Sequence, residues 1–396
     1  MRIIGKECLK ILDLRRISVI VIFTVMYYLL FIHLDTYPHI PTLGGMTETS
    51  YVPELVRDVG PSLSRDQWYL LEEKRRTLLA EINEILSSHP ALAEAGIDTY
   101  DKWKEAYHAL FLASETSTLA THVMSLYTQE GPAQRCLSLL SYIDDLNEIY
   151  EMGFLFSVPP SEAASIAEEH WSYASPLYKK VIPLFCQRDL SMLPLTISTL
   201  LWTDMRHMII LLIICSLILL VPCQIQERLC EVIPLYAATH TGRRIFTKQF
   251  AAQLLSCGIV TLVQLLIYVG IYISKGLAVY WNCPAWPAEF NTFWLDITFG
   301  TYMAIYLSMM WLFVMGNTVL AYCIGRCSGN YIVGIAISIP IGGIVCFLGR
   351  KLLFAPFAFT EYVRVPLWEP LGLLLWLALT GLLLKTVLKR DKRRNL

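Results

Sequence analysis

The sequence predicts an all-α integral membrane protein with six transmembrane helices, an N-terminal interfacial helix and a large helical extracellular insertion after the first span. Three observations carry this. Apolar residues make up 55% of the 396 and charged residues 16%, against about 45–50% and about 25% in soluble domains. The apolar residues gather into six runs that are long enough, or extendable enough, to cross a bilayer, with ordinary polar sequence between them. Charge is segregated: 24 of the 33 acidic residues but only 11 of the 32 basic ones lie between Asp35 and Asp204, so this segment carries −13 while the whole chain carries −1.

The first unit is residues 1–34. Ile4, Cys8, Ile11 and Leu12 recur at helical spacing with Lys6, Lys10 and Asp13 opposite, the pattern of a helix lying flat on a membrane surface. Residues 17–34 then form the first span. The run is too long for a secretory signal, and Tyr27, Tyr28 and Phe31 stand where a cleavage site needs small residues.

Residues 35–205 form the second unit. Pro38, Pro41, Gly44 and Gly45 mark a linker. Ser64 to Gln67 is a capping-box pattern, and behind it Trp68, Leu71, Leu78, Ile82 and Ile85 give one apolar helical face. Leu139, Ile143, Leu146 and Ile149 repeat the pattern, and Pro159-Pro160-Ser161 opens a further helix towards Trp171 and Tyr178. No strict alternation is long enough to argue for a sheet. The adjacent pairs Asp144-Asp145 and Glu168-Glu169 diverge on a helix and read as a solvated face. Cys136 and Cys186 lie in this unit, and a bridge between them is left open. The cysteines in apolar runs, such as Cys215, Cys257 and Cys346, read as small hydrophobes.

Residues 206–396 hold the other five spans: 208–223, short but extendable at both ends, then 250–273, 297–323, 331–347 and 371–388. None has a charge at its middle, which argues against an ion-coupled carrier. Lys and Arg concentrate in the N-terminus, the loop of residues 224–249, the turn at Arg326 and the tail. The positive-inside rule then puts both termini in the cytosol and residues 35–205 outside. Arg350, Lys351 and Arg364 depart from the rule. Trp281, Trp286 and Trp294 suit an outer aromatic belt.

Catalytic signatures are missing: there is no G-x-S-x-G, H-E-x-x-H or C-x-x-C. Cys323 and Cys327 lack further ligands near them, and the histidines are scattered. No basic groove with interleaved aromatics points to nucleic acid. The chain has no P-loop, so any ATP chemistry belongs to another chain.

The most informative segment runs from Gln226 to Leu254. It contains Glu227, then Leu235, Tyr236, Thr239, the pair Arg243 and Arg244, and Lys248 at the entry to the third span. A basic loop obeying the positive-inside rule accounts for the Arg and Lys, but not for the order of glutamate, apolar stretch, polar turn, Arg pair and Lys. In that order and approximate spacing the segment resembles the permease subunits of ABC exporters of the ABC type-2 family. The N-terminal helix, the insertion after the first span, the six-span count and the loop of residues 349–368 extend the resemblance over most of the chain. The sequence departs from the pattern at Cys230-Glu231, where glycine is usual, and at His240, where proline is common.

The resemblance implies a transport subunit, not an enzyme. It would pair with a second permease, the same chain or a related one, and with ABC ATPase subunits that bind ATP and magnesium. Glu227, Leu235, Tyr236, Thr239, Arg243, Arg244 and Lys248 would couple it to the ATPase. The implied setting is a plasma membrane, bacterial, with membrane lipid around the spans and no nucleic acid. Two other classes stay open: a membrane-anchored receptor, which lacks an output domain here, and a membrane-embedded lipid or glycan enzyme, for which Gln253, Gln264 and Asn317 are the weak polar candidates.

Overall fold

The computed structural model describes residues 2–32, 48–113, 117–129, 131–152, 162, 165, 187–230, 245–286, 293, 295–354, 356–357 and 368–394. Helix α1 (Arg2–Ile11) carries the predicted amphipathic stretch. Its Ile11 is buried, with Ile4 and Cys8 packed partly against the core. The chain turns at Asp13, whose backbone is non-helical, and enters α2 (Leu14–Tyr27). A π-helical turn, Tyr28–Ile32, continues the first span.

Among the described residues the insertion has α3 (Glu48–Val59), α4 (Trp68–Ser88), α5 (Pro90–Glu94), α6 (Tyr100–Ala113), α7 (Thr118–Thr128) and α8 (Pro132–Met152). The predicted capping box forms between Ser64 and Gln67 and leads through a 3-10 turn into α4. Trp68, Leu71, Leu78 and Ile82 are buried as their spacing predicts, and so are Leu139, Ile143 and Leu146 of α8. Removing these apolar faces from water is what holds the helices together. Polar ties cross the same interfaces. Arg135 of α8 donates to Glu54 of α3 at 2.8 Å and to Glu81 of α4 at 3.2 Å.

Asp144 corrects the solvated-face reading. Its side chain is 16% exposed and accepts from Arg75 of α4 at 3.1 Å, and from Lys104 and Tyr100 of α6 at 2.9 and 3.1 Å. Asp145 points out, as expected for its neighbour on a helix. Cys136 is a buried free thiol; Cys186, Glu168 and Glu169 lie outside the described residues, and of the helix expected after Pro160 only Glu162 and Ser165 are described, both helical.

Strand β1 (Ser62–Leu63) pairs antiparallel with β2 (Leu190–Ser191), Leu63 facing Leu190. The β2 strand leads directly into α9 (Leu195–Leu229), then come α10 (Ile245–Ser274), α11 (Phe299–Cys327), α12 (Tyr331–Leu352) and α13 (Trp368–Arg394). With the first span these make six helices long and apolar enough to cross a membrane. Each runs beyond its most apolar stretch at one end at least, because polar residues at span ends stay helical. At 35 residues and about 1.5 Å per residue, α9 is about 52 Å long. The expected boundary at residue 205 therefore falls inside one continuous helix.

In α9 and α11, 72% of the apolar window is buried, against 17% in the first and last spans, so these two form the centre. Close contacts are made through glycine. A Cβ on Gly349 of α12 would meet Phe313 at 2.9 Å and Ile209 at 3.0 Å, so this glycine lets α12 approach both central helices. Along α10, Gln249, Gln253, Cys257, Thr261, Gln264, Tyr268 and Tyr272 form a buried polar stripe. Gln264 donates to Thr24 Oγ1 at 2.8 Å, Tyr268 to Asp204 at 3.0 Å and Thr318 to the Cys257 sulfur at 3.0 Å. Asn317 donates to Ser216 Oγ at 2.6 Å. Gln264 and Asn317, two of the polar candidates for an embedded enzyme, thus join helix to helix, a common use of polar groups inside membranes.

The insertion sits on the segment between α10 and α11. Ser191 Oγ donates to Pro284 O at 3.1 Å, and Arg188 donates to Phe293 O at 2.8 Å while lying 4.5 Å over the Trp286 ring. Trp286 is consequently buried, not part of an exposed belt; Trp281 is half-buried, and Trp294 lies outside the described residues.

Candidate functional site

The site grows from the far end of α9. Glu227 continues the helix past the apolar run, and its side chain is only 3% exposed. A carboxylate so placed needs partners, because an isolated buried charge is expensive. It has two. Lys10 of α1 reaches Glu227 Oε1 at 2.5 Å, and Gln249 of α10 donates to Glu227 Oε2 at 3.3 Å. Beside them Arg16 donates to Gln226 Oε1 at 2.9 Å and to Lys10 O at 3.1 Å. The Cys8 thiol donates to Ala252 O at 3.6 Å. Thus α1 is fastened both to the end of α9 and to the first turns of α10. A cleft of about 320 Å³ lies there, lined by Leu9, Lys10, Asp13, Arg16, Gln226, Glu227 and Cys230.

The electrostatics favour the Lys10–Glu227 pair. Burial works against the Lys10 ammonium, but the hydrogen bond and charge of Glu227 outweigh it, and the pKa of Lys10 lies above its usual value. Glu7, 3.9 Å from Lys10, is pushed up, chiefly by burial; Lys10 opposes the rise and Glu227 adds to it.

Of the residues expected to couple to a partner, Glu227 and Lys248 are described. Lys248 is half-buried in the first turn of α10, next to Gln249. Leu235, Tyr236, Thr239, Arg243 and Arg244 lie outside the described residues. Sequence reasoning missed Lys10, Arg16, Gln226 and Gln249 as members of the site. In the amphipathic pattern Lys10 stands opposite the apolar residues of an interfacial helix, and nothing local ties it to a glutamate 217 residues away. Chemically the arrangement is a joint: three helix ends held by one buried carboxylate. Among the described residues no group of three or more His, Cys, Asp or Glu is placed to hold a metal ion; Cys323 is buried and Cys327 exposed.

Comparison with protein-family models, with curated proteins and with solved structures gives no match.

Proposed function

We propose that this chain is the permease subunit of an ATP-driven ABC exporter. It works with a second permease, the same chain or a related one, and with separate ATPase subunits that carry ATP and magnesium. The observation that supports this most is the Glu227 joint. The end of α9 and the start of α10 are joined to each other by Gln249, and the end of α9 is tied to α1 by Lys10 and to α2 by Arg16. A force applied to the loop between α9 and α10 is passed to α9, α10 and α1 together, and α9 is central to the bundle. In this reading Leu235 and Tyr236 are the apolar anchor against the ATPase, Arg243 and Arg244 its charged flank, and Thr239 the turn. Closure of the ATPases around ATP then drives alternating exposure of a path between two permeases.

The same reading puts the termini in the cytosol and the insertion outside a bacterial plasma membrane, because basic residues concentrate in the N-terminus, the loop and the tail. The cargo is unidentified, with peptide, drug and lipid-like classes all open.

The test is affinity purification of the tagged chain from native membranes, with identification and assay of any co-purifying ATPase. Replacing Leu235 and Tyr236 with Ala is expected to release it or uncouple its hydrolysis from transport, with the chain still in the membrane. A membrane-impermeant maleimide is expected to label Ser87→Cys in intact cells and spare Asn395→Cys. No ATPase in the preparation, or loop variants that keep both association and coupling, would leave the receptor or enzyme classes as the better account.

A further inference from the structure

A second charged cluster lies at the end of the bundle opposite Glu227. Along α9, Arg206 is 21 residues before Glu227, about 31 Å at about 1.5 Å per residue. Along α12, Arg350 is 19 residues after Tyr331, about 29 Å by the same rise. The two helix ends from which these lengths are measured lie together, since Gly334 of α12 abuts Ile225 of α9. A bilayer's hydrocarbon core is about 30 Å thick. Both guanidinium groups therefore belong at headgroup depth on the far side.

Packing brings them together. Gly349 of α12 lies against Ile209 of α9. Phe354, one turn beyond Arg350, lies under the Arg206 guanidinium at 3.7 Å. Arg350 follows Gly349 directly and Arg206 stands one turn before Ile209, so both arginines flank this contact between α9 and α12. His207, beside Arg206, is 3.5 Å from Tyr27 Oη and stacks on Phe31 at 5.6 Å. Lys351 follows, exposed. Among the described residues no carboxylate is within ion-pair distance of Arg206, Arg350 or Lys351. Asp204, on the same helix as Arg206, is instead bonded by Tyr268 of α10.

Phe354 floors the Arg206 guanidinium alone, and two like charges on neighbouring helix turns repel each other less when an anion lies between them. Arginine's fork suits a phosphate, which can accept from both at once. The flanking surface decides the source of that phosphate. Leu29, Leu30 and Phe31 of the first span and Ile344 and Phe347 of α12 are all exposed, and such apolar side chains beside the cluster suit acyl chains. Basic residues at this end also depart from the distribution that orients the chain, and a local lipid-binding role accounts for that departure. We propose that Arg206 and Arg350 clamp the phosphate of an anionic phospholipid headgroup where α2, α9 and α12 meet. This assignment does not depend on the permease reading.

The test uses the full chain, purified in detergent, stripped of lipid and titrated with phosphatidylglycerol or phosphatidylcholine under native mass spectrometry. Phosphatidylglycerol is expected to bind more tightly. The double variant Arg206→Gln, Arg350→Gln is expected to lose roughly tenfold or more in its affinity, from two charge-assisted hydrogen-bond donors removed. Lys389→Gln, at the other end of α13, is expected to change nothing. If the double variant does not stay folded, Arg206→Lys with Arg350→Lys keeps the charge but loses the fork, and an intermediate affinity is expected. Equal binding of both lipids, or full binding by either double variant, overturns the proposal. Displacement of the lipid by millimolar inorganic phosphate overturns the lipid as occupant and leaves a free-anion site.

Discussion

Replacing Lys10 with Ala is expected to loosen α1 more than replacing Glu227 with Gln, although both changes remove the same ion pair. The asymmetry comes from burial. Glu227 is 3% exposed and Lys10 42%. Without Lys10, the carboxylate stays buried with only the Gln249 amide. Breaking a fully buried pair costs about 3–5 kcal/mol, and the half-exposed lysine reduces that to about 2 kcal/mol. With Gln at 227 no charge is stranded, Lys10 turns to water, and the loss is about 0.5–1 kcal/mol. Cys8 reports the difference, because its thiol is held on Ala252 O and reacts freely only when α1 lifts away. The assay is the rate of Cys8 alkylation in open membranes, with the exposed Cys230 and Cys327 replaced by Ser. At 1.4 kcal/mol per factor of ten, the Lys10→Ala rate is expected to rise about 30-fold and the Glu227→Gln rate about 2- to 5-fold. The double variant is expected to resemble Glu227→Gln. Equal rates for the two single variants, or a double variant worse than Lys10→Ala, would refute the argument from a stranded buried charge.

Two further predictions concern the insertion. Arg135 holds the Glu54 carboxyl below its usual value through their hydrogen bond, which outweighs the burial that opposes it. The folded pKa is depressed, so the stabilisation is present above the ordinary carboxylate value and is lost as pH falls through the folded one. Glu54 is partly exposed, so screening limits this to about 0.5–1 kcal/mol. Thermal unfolding followed between pH 3 and 6 is expected to show this acid loss in the parent and less of it in Arg135→Gln. Asp144→Asn, which weakens the hold on Arg75, Lys104 and Tyr100, is expected to destabilise α4, α6 and α8 by about 1–3 kcal/mol, read as faster amide exchange in all three. Asp145→Asn, on the exposed side, is expected to leave exchange unchanged; if the two variants behave alike, Asp144 is not the tie between these helices.

What the sequence determined was local. The six apolar runs, the amphipathic face of residues 4–12, the Ser64–Gln67 cap and the buried face from Trp68 to Ile82 all follow from short-range periodicity, and each has its helix. Glu227 stood out as the first residue of an ordered motif, and it lies in the joint with Lys10 and Gln249. What tertiary structure decided was pairing. Lys10 reads as a surface charge until α1 is laid against α9 and α10, and Asp144 reads as solvated until α4 and α6 bring up Arg75 and Lys104. Trp286 reads as a membrane anchor until Arg188 covers it, and Arg206 has no visible neighbour until Gly349 admits α12. The physical reason is that lipid tails are as apolar as a leucine face. Hydrophobicity tells a spanning helix that it belongs in the bilayer, but not which helix to pack against. That choice rests on small residues that permit close approach and on polar groups that must find one another, often more than a hundred residues apart in this chain.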